Sequence, residues 1–297
     1  MSMISCLCLE SKRKKAAQLK NWYKGKEMTF ILGAGFVGNQ LLASLSTYGG
    51  MIIASTTTLG KQESLRPFAA EVVVMKGDDE EKLQEILPRV HAVVILVAPS
   101  SGASYEDVYV KTAEAVAKVL QGRSTPLYLL QASSTFVYAG VDAPFATEDL
   151  ILHPSHHKAK LLLSVEKQYL SLQSEHVKVC VLRLGGIYGS MRMLSDRARF
   201  VSGKELAGSG DEPTNHIHVD DVVRCMDFCM KNQLCGIYNC VNDSHPTKKE
   251  LYETLCRDSR LPLPTWNPTK EAEHGCGVVV SHDKLIQSGF RFVHPTI

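Results

Sequence analysis

A glycine-rich turn near residue 33 restricts the folds open to this chain. The segment Gly33–Gly38 has the pattern G-x-G-x-x-G, directly follows the apolar run 29–32, and precedes a helical pattern. In this context Gly33 allows the tight turn, Gly35 lets the backbone approach a pyrophosphate, and Gly38 lets the helix pack on the strand. A purely structural glycine turn is the alternative. The residues assigned to the predicted dinucleotide site are Gly33, Gly35, Phe36, Val37 and Gly38.

Short apolar runs alternate with amphipathic stretches from Met28 onward, a rhythm typical of a parallel sheet covered by helices on both faces. The predicted strands are 29–32, 51–54, 72–75, 92–98, 127–130 and 177–182, and the predicted helices lie near 36–48, 79–88, 104–121 and 157–174. We therefore predict a doubly wound α/β sheet, the NAD(P)-binding Rossmann fold.

The domain boundaries are placed where this rhythm weakens. We predict a Rossmann domain at 28–183, whose core continues in part to about 245, and a small α+β cap at 184–297 on the substrate side. The cap is predicted to contain a strand at 237–240 and helices starting near 220, 248 and 282. Residues 1–27 are interpreted as a disordered basic extension, with a transit peptide or a basic arm for an anionic partner as alternatives.

Composition and charge exclude several classes of protein. The 297 residues are 44% hydrophobic and 22% charged, which excludes a disordered or fibrous chain. Since 33 Lys and Arg balance 31 Asp and Glu, we expect no nucleic-acid binding. No apolar run reaches the roughly 20 residues of a membrane span, and the apolar start precedes the basic residues, which is the reverse of a signal peptide. We expect a cytoplasmic protein that does not bind a membrane.

The cysteines predict a reducing compartment and no metal site. Their number, nine, is odd, the chain is too long for a disulfide scaffold, and no two cysteines form a C-x-x-C pair. Cys225 and Cys229 lie one helical turn apart, but neither has a His or Cys partner at zinc-site spacing. We therefore expect buried structural thiols and no bound metal.

The residues after the second predicted strand favour NADP over NAD. An NAD enzyme of this fold usually has an acidic residue here for the ribose 2′-hydroxyl, whereas this chain has Ser55–Thr58 with Lys61 close behind. Hydroxyls and a cation suit a 2′-phosphate, although threonine also binds a plain ribose. We assign Thr56 and Thr58 to this contact.

Two further positions are assigned to the dinucleotide. Asp78 follows the third predicted strand and either places a carboxylate near the adenine or caps the helix that starts near Asp79. Ala98 ends the fourth predicted strand in a run of small residues that continues to Ser100, which lets the backbone lie along the cofactor.

Four further motifs follow the glycine turn in order along the chain. They are Ser133–Tyr138, similar to S-S-x-x-V-Y-G, Leu182–Gly189, similar to R-x-x-x-x-Y-G, His216–Val222, similar to H-V-x-D-V, and Gly236–Asn239. Together they resemble the extended short-chain dehydrogenase/reductase family, the NAD-dependent epimerase/dehydratase proteins, and most of all a small bacterial branch of atypical members. The resemblance implies a small-molecule substrate, such as a nucleotide sugar, a phosphorylated sugar or a related alcohol, and a homodimer built on two long helices.

The resemblance also implies a catalytic Tyr-x-x-x-Lys pair, which this chain lacks. In the family the pair works with a serine of the S-S motif, and Ser134 matches that serine. Anchoring on Glu166, the acid that ends the family's stretch, puts Lys158 at the Tyr position and Leu162 at the Lys position. A shift of two residues puts His156 at the Tyr position and Lys160 at the Lys position instead. Because hydride transfer still needs a group that takes the hydroxyl proton, the candidate catalytic residues are Ser134, Lys158 and His156.

Each of these assignments has a structural alternative. The Ser134 hydroxyl either holds the reacting oxygen or bonds to the backbone at the strand end. His156 and Lys158 form either a base or a solvated helix start. Guanidinium groups grip phosphate or carboxylate with paired donors, and a structural ion pair is the alternative for the two arginines. The residues assigned to the substrate are Tyr138, Arg183 and Arg192.

Two functions are compatible with these residues. The first is an epimerase, dehydratase or reductase in which Ser134 orients an oxygen of the substrate and the base is not a tyrosine. The second is an NAD(P)-binding sensor or scaffold without turnover, which the fold permits because binding and chemistry use different residues. Loss of the Tyr–Lys pair favours the second function, whereas Ser134 and the cap favour the first.

Overall fold

The computed structural model describes residues 27–99, 102–270 and 276–297. The extension predicted at 1–27 lies outside these residues except for Glu27, and so does Ser100. Within the described ranges, no helix has the length and apolar character that crossing a bilayer requires.

One parallel sheet organises the strands. In chain order, the strands of the described residues are β1 (Met28–Leu32), β2 (Met51–Thr56), β3 (Glu71–Val74), β4 (Ala92–Ile95), β5 (Leu127–Ser134), β6 (Phe145–Ala146), β7 (Val177–Leu184), β8 (Gly186–Tyr188), β9 (Glu205–Ala207), β10 (His216–His218), β11 (Gly236–Cys240), β12 (Thr265–Asn267) and β13 (Val279–Val280). Seven of these described strands form the sheet, in the order β11-β7-β5-β4-β1-β2-β3. The order reverses on either side of β1, as in a Rossmann fold, so the predicted fold class is confirmed.

Helices connect the strands. They are α1 (Phe36–Ser46), α2 (Gln62–Leu65), α3 (Glu80–Ile86), α4 (Lys111–Leu120), α5 (His157–Leu170), α6 (Leu194–Val201), α7 (Val219–Asn232), α8 (Lys248–Asp258) and α9 (Asp283–Gln287). A π-helical turn at Glu106–Val110 leads into α4, and short 3₁₀ turns lie at Leu59–Lys61, Leu87–Arg89 and Thr135–Tyr138. Each helix predicted from the sequence is present to within a few residues.

Three strands differ most from their predicted form, and the first of them, β5, extends four residues beyond the predicted 127–130 to Ser134. β4 ends at Ile95 and does not reach Ala98, because its neighbour β1 ends at Leu32, which pairs with Ile95. The strand predicted at 237–240 in the C-terminal region is β11, which lies beside β7 as the last strand of the sheet. A backbone hydrogen bond from Gly185 N–H to the Cys240 carbonyl (3.1 Å) follows this pairing.

The described residues divide into two compact units. Unit 1 comprises the chain up to Gln131 with 168–180 and 226–235, and unit 2 comprises 132–167, 181–225 and 236–297. Unit 1 contains the glycine turn and a core in which the branched residues of β1, β2 and β4 are buried. Unit 2 contains the strand pairs β10-β8, β12-β9 and β13-β6. The predicted domain boundary at 183 stays a prediction.

Candidate functional site

The glycine turn of unit 1 is held in shape by Ser55 at the end of β2. Its Oγ accepts a hydrogen bond from Gly33 N–H (3.0 Å), and its carbonyl accepts one from Ala34 N–H (2.7 Å). Since Ser55 is buried, water does not compete for these bonds. The turn is therefore fixed by the chain itself. Sequence reasoning missed Ser55, because a serine that ends a strand carries no local signal of a partner in another loop.

The three motif glycines have different physical reasons to be glycine. Gly33 has φ +104°, and a Cβ there would lie 3.0 Å from the backbone of Leu96. A Cβ on Gly38 would lie 2.5 Å from the Gly33 carbonyl oxygen. Gly35 is exposed, and beyond its own residue and its two chain neighbours a Cβ added to it would have no atom of the described residues within 4 Å. Packing within the chain therefore explains Gly33 and Gly38 but leaves Gly35 open to a ligand.

The start of α1 provides the donors that such a ligand needs. Gly35 immediately precedes α1, and no side chain of the described residues caps this helix start by a hydrogen bond. The first-turn N–H groups of a helix have no intrahelical acceptors and carry partial positive charge, which suits a pyrophosphate. Phe36 and Val37 lie in this first turn and are half-buried. The turn and α1 together fit a dinucleotide phosphate.

The residues near the end of β2 that are assigned to the cofactor differ in exposure. Thr56 is buried, and its Oγ1 accepts a hydrogen bond from Thr58 N–H (3.2 Å). Thr58 and Lys61 are exposed on the 3₁₀ turn that follows. Thr56 therefore shapes this turn, whereas Thr58 and Lys61 are accessible to a ligand.

Asp78 is not the residue that caps α3. The neighbouring Asp79 occupies the cap position, and its carboxylate accepts a hydrogen bond from Lys82 N–H (3.2 Å). Asp78 is half-buried in the turn after β3, so the cap alternative passes to Asp79 and the adenine assignment stays a prediction. Ala98 is exposed beyond the end of β4.

In unit 2, the two serines that end β5 have different environments. The buried Ser133 hydroxyl donates to Glu166 Oε1 (2.5 Å). Ser134 is half-buried, and its Oγ accepts a hydrogen bond from Phe136 N–H (3.2 Å). Ser134 therefore makes the hydrogen bond to the backbone that is the structural alternative to a catalytic role. It uses the oxygen as an acceptor, so the hydroxyl proton is still available to donate.

Glu166 and Arg183 form a buried ion pair. Arg183 Nη2 donates to Glu166 Oε2 (2.6 Å), and its Nε lies 3.1 Å from both carboxylate oxygens. Their side chains are 0% and 2% exposed, respectively. Burial alone would lower the pKa of Arg183, but the hydrogen bond and charge of Glu166 raise it above the ordinary value. Arg183 therefore forms a structural ion pair, which is the alternative to its assignment as a substrate ligand.

Tyr138 belongs to the same buried network. Its hydroxyl accepts a hydrogen bond from Arg183 Nη1 (2.7 Å) and lies 2.9 Å from Asn239 Oδ1, to which it donates. Asn239 N–H donates in turn to Glu148 Oε1 (2.8 Å). Burial raises the pKa of Tyr138, although Arg183 opposes this, so the phenol keeps its proton. Tyr138 contacts the protein interior, and its predicted contact with substrate has no support in this arrangement.

The start of α5 carries the candidates for the base. His156 Nδ1 accepts a hydrogen bond from Lys158 N–H (3.2 Å), and its ring meets the Phe136 ring edge-on at 5.0 Å. Both His156 and Lys158 are exposed. Leu162, one turn further along, is buried. Tyr169 is the tyrosine of α5, but it is buried near the far end of the helix, and burial raises its pKa.

Arg192, the second arginine assigned to the substrate, precedes α6 in the chain. It is exposed on the loop before α6, where its N–H donates to the Gly189 carbonyl (2.9 Å). Its predicted contact with a substrate anion stays a prediction.

His216 of β10 makes the folded state sensitive to acid. It is buried, and Arg197 donates to its Nε2 (3.0 Å), which places the proton of the neutral ring on Nδ1. Burial, followed by the charges of Arg197 and His245, lowers its pKa from 6.5 to about 3. Between these values the unfolded chain binds a proton that the folded chain rejects, so stability is lost as the pH falls below 6.5, by about 1.4 kcal/mol per pH unit.

Replacing this histidine tests the pH dependence. His216→Gln removes the titrating group. Between pH 6.5 and 4.5 the free energy of unfolding should therefore fall by about 2–3 kcal/mol less in the variant than in the wild type. Urea unfolding at these two pH values measures the difference. His153→Gln, a change at an exposed histidine, is the matched control. Equal pH slopes for wild type and His216→Gln would contradict the assignment.

Comparisons with known proteins agree with this architecture. The model of the NAD dependent epimerase/dehydratase family matches residues 29–240. Protein YeeZ of Escherichia coli (strain K12) is 24% identical over 272 residues, which cover 89% of this chain and 95% of YeeZ.

Solved structures with the same fold include sugar-nucleotide complexes. MoeE5 in complex with UDP-glucuronic acid and NAD superposes with a TM-score of 0.72 at 18% identity, covering 88% of this chain and 92% of MoeE5. UDP-glucose 4-epimerase from Thermotoga maritima with UDP-glucose has a TM-score of 0.70 at 19% identity, covering 88% of this chain and 91% of the epimerase. At these identities the likeness supports the fold.

Proposed function

The chain belongs to the NAD dependent epimerase/dehydratase family, and we propose that it binds NAD(P) and acts on a nucleotide-linked or phosphorylated sugar or a related alcohol. NAD(P) binding is typical of the family. The observation that carries the proposal is Gly35, which is exposed beside the start of α1 with open space where a Cβ would be. Packing of the described residues does not account for a glycine there, whereas the close approach of a pyrophosphate does.

The residues of unit 1 fit this cofactor. Gly33 and Gly38 let the turn close, Gly35 leaves open space beside it, and the first turn of α1 offers its N–H groups to the phosphates. Thr58 and Lys61 are exposed beyond β2, which supports our preference for NADP over NAD, because a hydroxyl and an ammonium suit a 2′-phosphate. When bound, NAD(P) supplies or accepts a hydride.

The residues of unit 2 are assigned to substrate orientation and to proton transfer. Ser134 orients an oxygen of the substrate through the hydroxyl proton that its backbone bond leaves available. We assign the base to Lys158 at the exposed start of α5: its neutral amine takes the proton of the substrate hydroxyl, and the ammonium so formed returns it in the reverse direction. The Nδ1 lone pair of His156 is engaged by the backbone N–H of Lys158, which favours Lys158 over His156 as the base. The nucleotide sugars in MoeE5 and the Thermotoga epimerase support the substrate class.

Changing Ser134 to alanine is expected to lower kcat about 100-fold, the usual loss when one oxygen-stabilising donor is removed. NAD(P) affinity should not change, because Ser134 is assigned to the substrate. Turnover of a panel of UDP-sugars, dTDP-sugars and sugar phosphates is followed by proton NMR of the sugar, because epimerisation and dehydration leave no net reduced nicotinamide, and by nicotinamide absorbance for a net oxidation or reduction. Ser164→Ala on α5, whose hydroxyl donates to the Leu161 carbonyl (2.7 Å), is the matched control. Full activity of Ser134→Ala would exclude this role.

A sensor or scaffold is the second candidate. Buried Leu162 at the family's Lys position supports it, because the family's chemistry relies on an ammonium there. A protein of this kind would bind NAD(P) and turn over no member of the substrate panel. The panel therefore separates the two functions, and it does so without any variant.

A further inference from the structure

We propose that His218, Asp220 and His294 of unit 2 form a binding site for a divalent transition-metal ion, for which Zn²⁺ is the reference. The three side chains offer two imidazole nitrogens and a carboxylate oxygen, and these atoms all lie within 4.8 Å of one another. Imidazole with carboxylate is a donor set that suits zinc and its neighbours better than magnesium or calcium. No cysteine is needed for such a site.

The distances are close to those of a tetrahedral ion. Asp220 Oδ2 lies 3.3 Å from His294 Nε2 and 3.5 Å from His218 Nδ1. Donor atoms about 2.05 Å from a tetrahedral ion lie about 3.3 Å apart, so two of the three edges already have the required length. The two imidazole rings are 3.8 Å apart between centroids, whereas two imidazoles on one tetrahedral ion are about 5.2 Å apart, so both side chains have to rotate to turn their nitrogens towards the ion.

Binding an ion would break one existing hydrogen bond. Asp220 N–H donates to His218 Nδ1 at 3.2 Å, the same nitrogen that would bind the ion. This bond spans two residues at an exposed helix start, where water can replace the acceptor. Its loss therefore costs little compared with a metal–imidazole bond.

The C-terminal segment that carries His294 is anchored independently of any ion. Buried Asp221 accepts hydrogen bonds from Val293 N–H (2.8 Å) and His294 N–H (2.7 Å). The Tyr188 hydroxyl donates to the Thr296 carbonyl (3.2 Å). His294 is thus held near the start of α7 by its backbone, and binding an ion requires only side-chain rotation. Outer contacts of this kind orient ligands in known metal sites.

The site also has room for an open coordination position. His218 is half-buried, whereas Asp220 is exposed, so solvent reaches the cluster from one side. Three protein ligands and a water complete a tetrahedron. The ion would link the C-terminal segment to α7, and its chemistry is separate from the proposed cofactor contacts of unit 1.

Calorimetric titration of the tag-free, chelator-treated full chain with ZnCl₂ tests this site. We expect one saturable site, and affinity at least about 100-fold lower in His294→Gln, since loss of a ligand costs more than the 10–100-fold typical of an outer contact. His282→Gln is the matched control, because His282 pairs with Asp243 (Nε2–Oδ1 3.0 Å) outside this cluster. If His294→Gln does not fold, as judged by circular dichroism, Asp220→Asn replaces it.

Cobalt reports which ligands hold the ion. Co²⁺ bound to two imidazoles and a carboxylate should show visible absorption without a sulfur-to-cobalt band, and His294→Gln should lose that absorption. A sulfur band would place the ion on a thiol such as exposed Cys235 and overturn the proposal. So would equal zinc affinity in wild type and His294→Gln, or no zinc binding by the wild type.

Discussion

Glu166→Gln is expected to lower the free energy of unfolding by about 3–5 kcal/mol, the usual loss when one partner of a buried ion pair is removed. The change leaves the Arg183 guanidinium buried without its counter-charge, and this group does not give up its proton. It also weakens the hydrogen bond from Ser133, which donates to the same carboxylate. Urea unfolding at pH 7 gives the difference between variant and wild type.

A surface pair provides the control for this prediction. Glu63 and Arg66 form an ion pair of 2.7 Å whose side chains are 77% and 63% exposed. Glu63→Gln should therefore change stability by less than about 1 kcal/mol. The double variant Glu166→Leu with Arg183→Met should recover much of the lost stability, because it removes both charges together. A loss below about 1 kcal/mol for Glu166→Gln would contradict the buried pair.

Gly35→Asp is expected to abolish NAD(P) binding without unfolding the protein. A carboxylate about 4 Å from a phosphate charge costs about 4 kcal/mol at the effective dielectric of a protein surface, which is roughly a thousandfold in affinity. The fold should tolerate the change, because φ at Gly35 is negative (φ −89°, ψ −148°) and no described atom beyond its chain neighbours lies within 4 Å of the new Cβ. Fluorescence titration with NADPH and a thermal melt measure the two effects.

The matched control places the same charge elsewhere on unit 1. Gly49 follows α1 with φ +76°, also has open space at its Cβ position, and lies at the opposite end of that helix from Gly35. Aspartate is among the residues that tolerate this backbone conformation. Gly49→Asp should bind NADPH as the wild type does. Loss of binding in both variants would point to a general charge effect.

The fold could be predicted because independent local signals agree. The strand–turn–helix from β1 to α1 is encoded by apolar periodicity and by glycines that the backbone demands, such as Gly33 with its positive φ. The membership of β11 in the sheet has no such local signal. It depends on pairing with β7, and periodicity reports the existence of a strand but not its neighbour.

The candidate site was predicted less completely, because its key contacts join distant residues. Glu166 served as an alignment anchor and Arg183 as a substrate ligand, yet the two bind each other. One signal was present: an arginine inside the apolar strand β7 must be buried, and a buried charge needs a partner. His294 gave no signal, because it lies 74 residues after Asp220, and the expectation of no metal rested on cysteine spacing.

The central claim is that the glycine turn binds a nicotinamide dinucleotide, and calorimetric titration of the full chain with NAD, NADH, NADP and NADPH tests it most directly. We expect saturable binding with one site per chain, tighter for the 2′-phosphorylated forms. Comparable affinity for NAD and NADP would retain the site and remove the preference for NADP. The absence of heat with all four dinucleotides, from a protein shown to be folded, would contradict the account.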